Sequence, residues 1–286
     1  MAEKIGVGIV TYNRPEYLKV LLNSFPQECG IDELIIVNDG KPLSKDLPYT
    51  GKDYDFSHVA WIQNEKNLGV GKSKNKALKY LYEKACDYIF LIEDDMLILD
   101  STIFQQYVKA SKISGIQHFN YGPGSPFNRK QTIRNFDLHN RHLLDEETEP
   151  NPRVIIDYKD SKISLYRHVT GTCSFYTRKA IDTVGYIDEN YKNAWEHVDH
   201  TYSIIKANLH PPFWWFADLA NSHELIIPQK NAIGNSSTSK NTNEWMENVR
   251  VNAEKYRTKH GHYPAQAPDT DINTVTSILK KIKTNG

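Results

Sequence analysis

The chain has 286 residues, with 35 Lys and Arg against 35 Asp and Glu, so its formal net charge is zero. That length suffices for one large domain or two small ones, and the balanced charge leaves no global field to steer the chain to nucleic acid or an anionic membrane. Three cysteines, Cys29, Cys86 and Cys173, are odd in number, widely spaced and without a CxxC pair, which argues against a disulfide framework or a zinc site.

Ile5-Gly6-Val7-Gly8-Ile9-Val10 reads as a first strand that ends at Thr11-Tyr12-Asn13-Arg14. Pro15 suits the first position of a helix, and Leu18, Leu21, Leu22 and Phe25 recur at helical spacing as its buried face. Leu34 to Val37 is a second strand ending at Asn38-Asp39-Gly40, and Val59 to Ile62 a weaker third. Asn67-Leu68-Gly69 leads into a Lys-rich helix whose core stripe is Ala77, Leu78, Leu81 and Tyr82. A strand at Tyr88 to Ile92 follows, then a helix from a cap at Asp100-Ser101 to about Lys112. Strands alternating with helices imply a mostly parallel sheet with right-handed crossovers.

The second half has a different texture. Short strands are expected at Val154 to Tyr158, Ile163 to His168 and Cys173 to Tyr176, and a helix from Thr177 to Val184 closed by Gly185. Glu196 to Leu209 reads as a helix stopped by Pro211-Pro212, and Phe213 to Phe216 as a strand. Gln229 to Asn243 is rich in small polar residues, and two polar helical pieces finish the chain. No apolar run approaches the ~18 residues of a membrane span, and the N-terminus enters a strand with no signal peptide ahead of it. The expectation is a soluble, cytoplasmic protein.

The fourth strand runs straight into Glu93-Asp94-Asp95. In open α/β sheets ligands bind at the carboxyl ends of the strands. Three adjacent acids repel one another, and a divalent cation would offset that; hard oxygen ligands suit Mg²⁺ or Mn²⁺. The other reading is an acidic turn that simply ends a strand.

Together these marks resemble the GT-A nucleotide-sugar glycosyltransferases, specifically the inverting family-2 kind. Thr11-Tyr12-Asn13-Arg14 is similar to that family's opening motif, and Asn38-Asp39-Gly40 to its uracil- and ribose-contacting Asp-Asp-Gly. Asn67-Leu68-Gly69 with Lys74-Asn75 resembles its Asn-x-Gly…Arg-Asn segment, Glu93-Asp94-Asp95 its Asp-x-Asp, and Val184 to Asn190 the stretch before the acceptor helix. The resemblance covers roughly Ile5 to Leu225. Two departures stand out: Glu93 replaces the first Asp, and Glu196-His197 replaces a Glu-Asp pair whose Asp is commonly the base, so that position holds His197.

The resemblance implies an α/β GT-A domain over residues 1–227, a Rossmann-like, mostly parallel sheet flanked by helices. Its donor half would span about 1–112 and its acceptor half about 113–227, with a mobile loop and C-terminal helical extension over 228–286. It implies a metal-dependent inverting transfer from a UDP-sugar to an acceptor hydroxyl on a glycan. Thr11, Tyr12, Asn13, Arg14, Asp39, Asn67, Gly69, Lys74, Asn75 and Asp94 would bind the donor, Asp94 facing the ribose. Glu93 and Asp95 would hold Mn²⁺ or Mg²⁺, with His223 as a late third ligand. Glu196 leads as general base, with His197 as rival; Asp199, in the same first turn, suits the helix dipole instead. Trp195, Trp214 and Trp215 are candidates for stacking on a sugar, with core packing as the other reading. Pro228 to Asn243 is expected to close over the donor.

Other readings carry less. Leu68 to Ser73 resembles a phosphate-binding loop but has Lys66 where that loop requires Gly, and Gly6-Val7-Gly8 has Thr11 where a dinucleotide fingerprint requires its third Gly. His197 and His200 are three apart, not the four of a zinc-protease helix. The alternatives that stay open are a sugar nucleotidyltransferase and sugar transfer onto a hydroxylated base in DNA, the latter through Lys72, Lys74, Lys76 and Lys79.

Overall fold

The computed structural model of the chain describes residues 3–26, 28–43, 59–130, 149–230 and 242–285. Four strands, β1 (Ile5–Thr11), β2 (Glu33–Asn38), β3 (Ala60–Gln63) and β4 (Tyr88–Glu93), lie parallel in the order β3-β2-β1-β4. Alternation along β2 sends Leu34 and Ile36 to one face and Ile35 and Val37 to the other, as a strand covered on both sides requires. On the first face α1 (Pro15–Asn23) buries Leu18, Leu21 and Leu22; on the second α2 (Val70–Glu83) buries Ala77, Leu78 and Leu81.

Gly6 and Gly8 serve packing rather than a dinucleotide. A Cβ on Gly6 would lie 2.7 Å from Cys86 Sγ, and one on Gly8 would lie 2.7 Å from the Ala77 Cβ. Their bare backbone lets α2 lie directly on β1.

Beyond β4 the sheet changes sense. β9 (Cys173–Thr177) runs antiparallel to β4, and β6 (His118–Asn120) antiparallel to β9. The expected parallel sheet is thus parallel through four strands and antiparallel at its far edge. β7 (Val154–Asp157), β8 (Lys162–Tyr166) and β10 (Phe216–Leu219) form a separate antiparallel sheet in the order β10-β8-β7, and β5 (Met96–Ile98) pairs with β11 (Ile226–Pro228). α3 (Ile103–Ser114) ends at Gly115, whose φ of 77° is a left-handed stop. α4 (Arg178–Val184) is capped by Thr177, whose Oγ1 accepts from the Ala180 N–H at 3.2 Å. α5 (Glu196–Lys206) ends earlier than Leu209 because Asn208 turns the chain at φ 59°. The strand expected from Phe213 begins only at Phe216, since Trp214 sits at φ 69°, which no strand continues.

The C-terminal pieces are not polar appendages. α8 (Ile272–Asn285) places Val275, Leu279 and Ile282 in the main core beside Ala110 of α3. α7 (Thr242–His260) buries Tyr256 against α5. Three indoles bind this region: Trp195 Nε1 donates to Val249 O at 2.9 Å, Trp214 Nε1 to Ala267 O at 2.7 Å and Trp215 Nε1 to Thr270 O at 2.9 Å. Residues 231–241, most of the segment expected to close over the site, lie outside the described residues. Among the described residues, no helix is long and apolar enough to cross a membrane.

Candidate active site

Strand register aligns the functional segments. Thr11 pairs with Asn38, Asn38 with Gln63, and Val10 with Glu93, while the Glu93 N–H donates to Thr172 O at 2.8 Å. One edge of the sheet, the carboxyl ends of its parallel strands, therefore gathers the ends of β1, β2, β3 and β4 and the start of β9.

The acid turn is cross-linked from the segment between β1 and α1. Arg14 Nη1 donates to Asp95 Oδ2 at 2.9 Å and Nη2 pairs with Asp94 Oδ1, while Thr11 Oγ1 donates to Asp94 Oδ2 at 2.6 Å. Burial pushes the Asp94 carboxyl up to about 7 against the pull of Arg14, and raises that of Asp95 likewise. Burial alone would lower the Arg14 guanidinium; Asp94 and Asp95 outweigh it and hold it above its ordinary value. Both Asp94 oxygens are taken and the residue is fully buried, so its carboxylate holds Arg14 and Thr11 instead of facing the cleft.

Asp95 Oδ1, by contrast, is buried with no hydrogen-bond partner. An orphaned carboxylate oxygen next to Glu93 fits a hard cation that takes its remaining ligands from water and phosphate. Among the described residues no three His, Cys, Asp or Glu side chains gather into a cation site. His223, on the short helix α6 (Ser222–Leu225), is not brought to this turn. Pro228 pairs with Met96, Ile226 with Ile98, and the Leu99 N–H bonds Leu225 O. Leu225, two residues after His223, thus lies at the far end of β5, some ~13 Å of strand from Asp95, and His223 Nδ1 is buried without a hydrogen-bond partner. Gln229 stands opposite Asp95 instead. Its N–H donates to Asp95 O at 2.7 Å, and its side chain donates to the carbonyls of Tyr17, Asp94 and Met96 at 2.9, 3.0 and 2.9 Å.

Asp39 organises the entry to α2. Its carboxylate accepts from Asn64 Nδ2 at 2.7 Å and from the N–H groups of Leu68 and Gly69, both at 2.8 Å. Asn67 Oδ1 also accepts from the Gly69 N–H, at 2.9 Å, and Gly69 turns into α2 at φ 90°. Asn13 is exposed and accepts from the Lys41 N–H at 2.8 Å, and Tyr12 beside it is half-buried. Asn75 faces elsewhere: its amide donates to Ile187 O and Glu189 Oε1 and accepts from the Ile187 N–H, at 2.7, 2.9 and 2.9 Å. It pins the segment that leads to α5.

Lys74 joins the two halves of the site. Buried at 3% exposure, its Nζ lies 2.7 Å from Glu93 Oε1, 3.7 Å from Glu196 Oε1 and 2.8 Å from Gly171 O. His197 Nδ1 is 3.2 Å from Glu196 Oε1, so a carboxylate, an imidazole and an ammonium meet at the first turn of α5. Burial would raise the Glu196 carboxyl, but His197 and Lys74 outweigh it and hold it at about 2. Asp199 has a different occupation. It accepts from Tyr191 Oη at 3.0 Å, His260 Nε2 at 2.7 Å and Lys259 Nζ at 2.8 Å, clamping the end of α7 to α5.

Gly171 is a close-approach position. A Cβ there would lie 2.8 Å from Lys74 Nζ and 3.2 Å from His197 Nδ1. Gly171→Ala is expected to fold normally, since both atoms belong to side chains able to shift, yet to lower turnover by up to ~10²-fold through misplacement of the reacting groups. Melting temperature and kcat on the same preparation check this; unchanged kcat would remove the claim. Neither Gly171 nor Gln229 carries a motif of its own, and only their neighbours in space reveal them.

The description "Glycosyl transferase family 2" matches residues 6–185 of the chain. Uncharacterized glycosyltransferase R363 of Acanthamoeba polyphaga mimivirus is 26% identical over 248 residues, 82% of this chain and 84% of that one. Uncharacterized glycosyltransferase YwdF of Bacillus subtilis is 29% identical over 201 residues, 68% of this chain and 65% of that one. Among solved structures, S. aureus TarS 1-349 in complex with UDP-GlcNAc matches with a TM-score of 0.51 and 16% identity, over 98% of this chain and 71% of that chain, and shares its fold. With the four parallel strands, the acid turn and the α5 terminus on one sheet edge, and a match over more than half its length, the chain belongs to glycosyl transferase family 2, on a GT-A fold.

Proposed function

We propose that the chain moves a sugar from a nucleotide-sugar donor to an acceptor hydroxyl with inversion, assisted by Mg²⁺ or Mn²⁺. The observation that carries this reading is Lys74, whose single ammonium lies between Glu93 of the acid turn and Glu196 of the α5 terminus. Groups suited to a diphosphate and groups suited to a proton thus meet at one ammonium. Thr11, Tyr12, Asn13, Asp39, Asn67 and Gly69 surround the nucleoside, and Arg14 adds positive charge where the leaving group departs. A divalent cation held by Glu93 and Asp95 would neutralise the diphosphate as a Lewis acid. Glu196, accepting from Nδ1–H, fixes the His197 tautomer whose Nε2 lone pair takes the acceptor proton.

Uridine is the nucleotide to test first, since TarS at 16% identity holds UDP-GlcNAc. A glycan acceptor is tested ahead of DNA because three of the four α2 lysines pair within the protein, Lys74 as above, Lys76 on Asn64 and Lys79 on Glu189, while Lys72 is exposed. A panel of nucleotide sugars is the direct test. UDP should be released from a UDP-sugar with Mn²⁺ or Mg²⁺ present, and Asp95→Ala or EDTA should stop it. Release from no nucleotide sugar would overturn the assignment; full release in EDTA would remove the cation.

A further inference from the structure

The loop that brings Gly171 to His197 starts in an aromatic cluster that the transfer chemistry leaves unused. The rings of Phe127 and His168 are 5.1 Å apart, tilted by 39°, and His168 meets Trp214 edge-on at 6.2 Å and 79°. Phe127 is 38% exposed, and His168 and Trp214 are half-buried. Arg167 is exposed at the rim, with its guanidinium 5.1 Å from the Trp214 ring centre and 3.4 Å from Asp269. Trp214 is held in a left-handed conformation at φ 69° with its Nε1 fixed on Ala267 O. A bulky residue keeps such a backbone only where its surroundings over-determine it.

The link from this cluster to the reacting groups is rigid. Asn128 grips His168 on both sides, Nδ2 donating to its carbonyl at 2.7 Å and Oδ1 accepting from its N–H at 3.0 Å. Thr170 is fixed by Asn120 Nδ2 on its carbonyl at 3.2 Å and by its own Oγ1 on Tyr121 O at 2.9 Å. Gly171 O holds Lys74. From His168 to Gly171 the chain spans ~10 Å at most, comparable to the reach of a short saccharide. Burial, with Arg167 adding to it, lowers the His168 imidazole to about 4, so the ring offers a neutral aromatic face at physiological pH.

We propose that Phe127 and His168 form an acceptor subsite that stacks on the C–H face of a pyranose ring adjoining the sugar whose hydroxyl reacts at His197, with Arg167 donating to its hydroxyls. Flat aromatic faces bind the apolar face of a sugar while rim donors meet its hydroxyls. This rests on the reading of the acceptor as a saccharide. Saturation-transfer NMR with methyl glycosides, cellobiose and chitobiose probes the subsite without donor or turnover. Wild-type protein should transfer saturation to ring C–H protons of at least one disaccharide. Phe127→Leu and His168→Gln should each reduce that transfer ~3-fold or more with melting temperature unchanged. Transfer to no saccharide, or equal transfer in both variants, overturns the subsite. Loss of nucleotide-sugar hydrolysis in the wild-type protein would overturn the donor reading alone, so the two failures are distinct.

Discussion

Replacing His197 with Gln is expected to lower kcat for glycosyl transfer by ~10²–10⁴, the range a positioned general base contributes, with donor affinity nearly unchanged. Glu196 is the weaker acceptor for that proton. Its carboxyl is 3% exposed, and a charged His197 together with Lys74 favours its ionised form, ion-paired through Oε1. Glu196→Gln should also lower kcat, because an uncharged amide orients His197 Nδ1 less strictly than a carboxylate and does not stabilise the imidazolium that forms. The two variants differ in degree: His197→Gln should lose the larger share of kcat, since it removes the group that takes the proton. His197→Asp, which restores the side chain common in the resembled enzymes, should recover part of the rate. Near-normal turnover in His197→Gln beside an inactive Glu196→Gln would hand the role to Glu196.

Lys74→Met is expected to cost ~3–5 kcal/mol of stability, the loss typical when one partner of a buried ion pair is removed. Met nearly preserves the volume, so the loss would be that of charge rather than of packing. Glu196 would be left buried with only His197 for a partner, and Gly171 O would lose its donor. Acid unfolding gives an independent view. The Glu196 carboxyl is depressed from 4.5 to about 2, so its contribution is fully present above pH 4.5 and lost as pH falls from there through 2. A shift of that size corresponds to on the order of 3 kcal/mol. The acid limb of stability should therefore flatten in Lys74→Met, where the depression shrinks. Urea unfolding at neutral pH and at pH 3 reads both effects; an unchanged midpoint at neutral pH would refute the first.

What the sequence made legible follows from the period of its strands. Ile5 to Val10, Leu34 to Val37 and Tyr88 to Ile92 are apolar runs long enough to place the sheet edge, and the polar segments after them had to converge there. The three-residue strands β5, β6 and β11 are too short to carry a period, and with them went the register that pairs Met96 with Pro228 and Ile98 with Ile226. Gln229 sits 135 residues from Asp94, a separation that no local pattern bridges. Val275, Leu279 and Ile282 do recur at helical spacing, but the Lys and Thr residues among them masked a stripe that joins the main core. Asp199 belongs to a motif whose acids suggest catalysis; its partners Lys259 and His260 come from a helix whose docking only the folded chain displays.

The three indole tethers have a consequence for grafting the C-terminal region. Trp195 precedes α5 directly, and Trp214 and Trp215 lie on the turn before β10, while their carbonyl partners are all in the C-terminal region. Exchanging the tail between relatives without its tryptophans would leave indole N–H groups stranded and would unseat the helix that carries His197. Tail and tryptophans therefore form one structural unit. A graft that changes the acceptor side has to bring its own tail along.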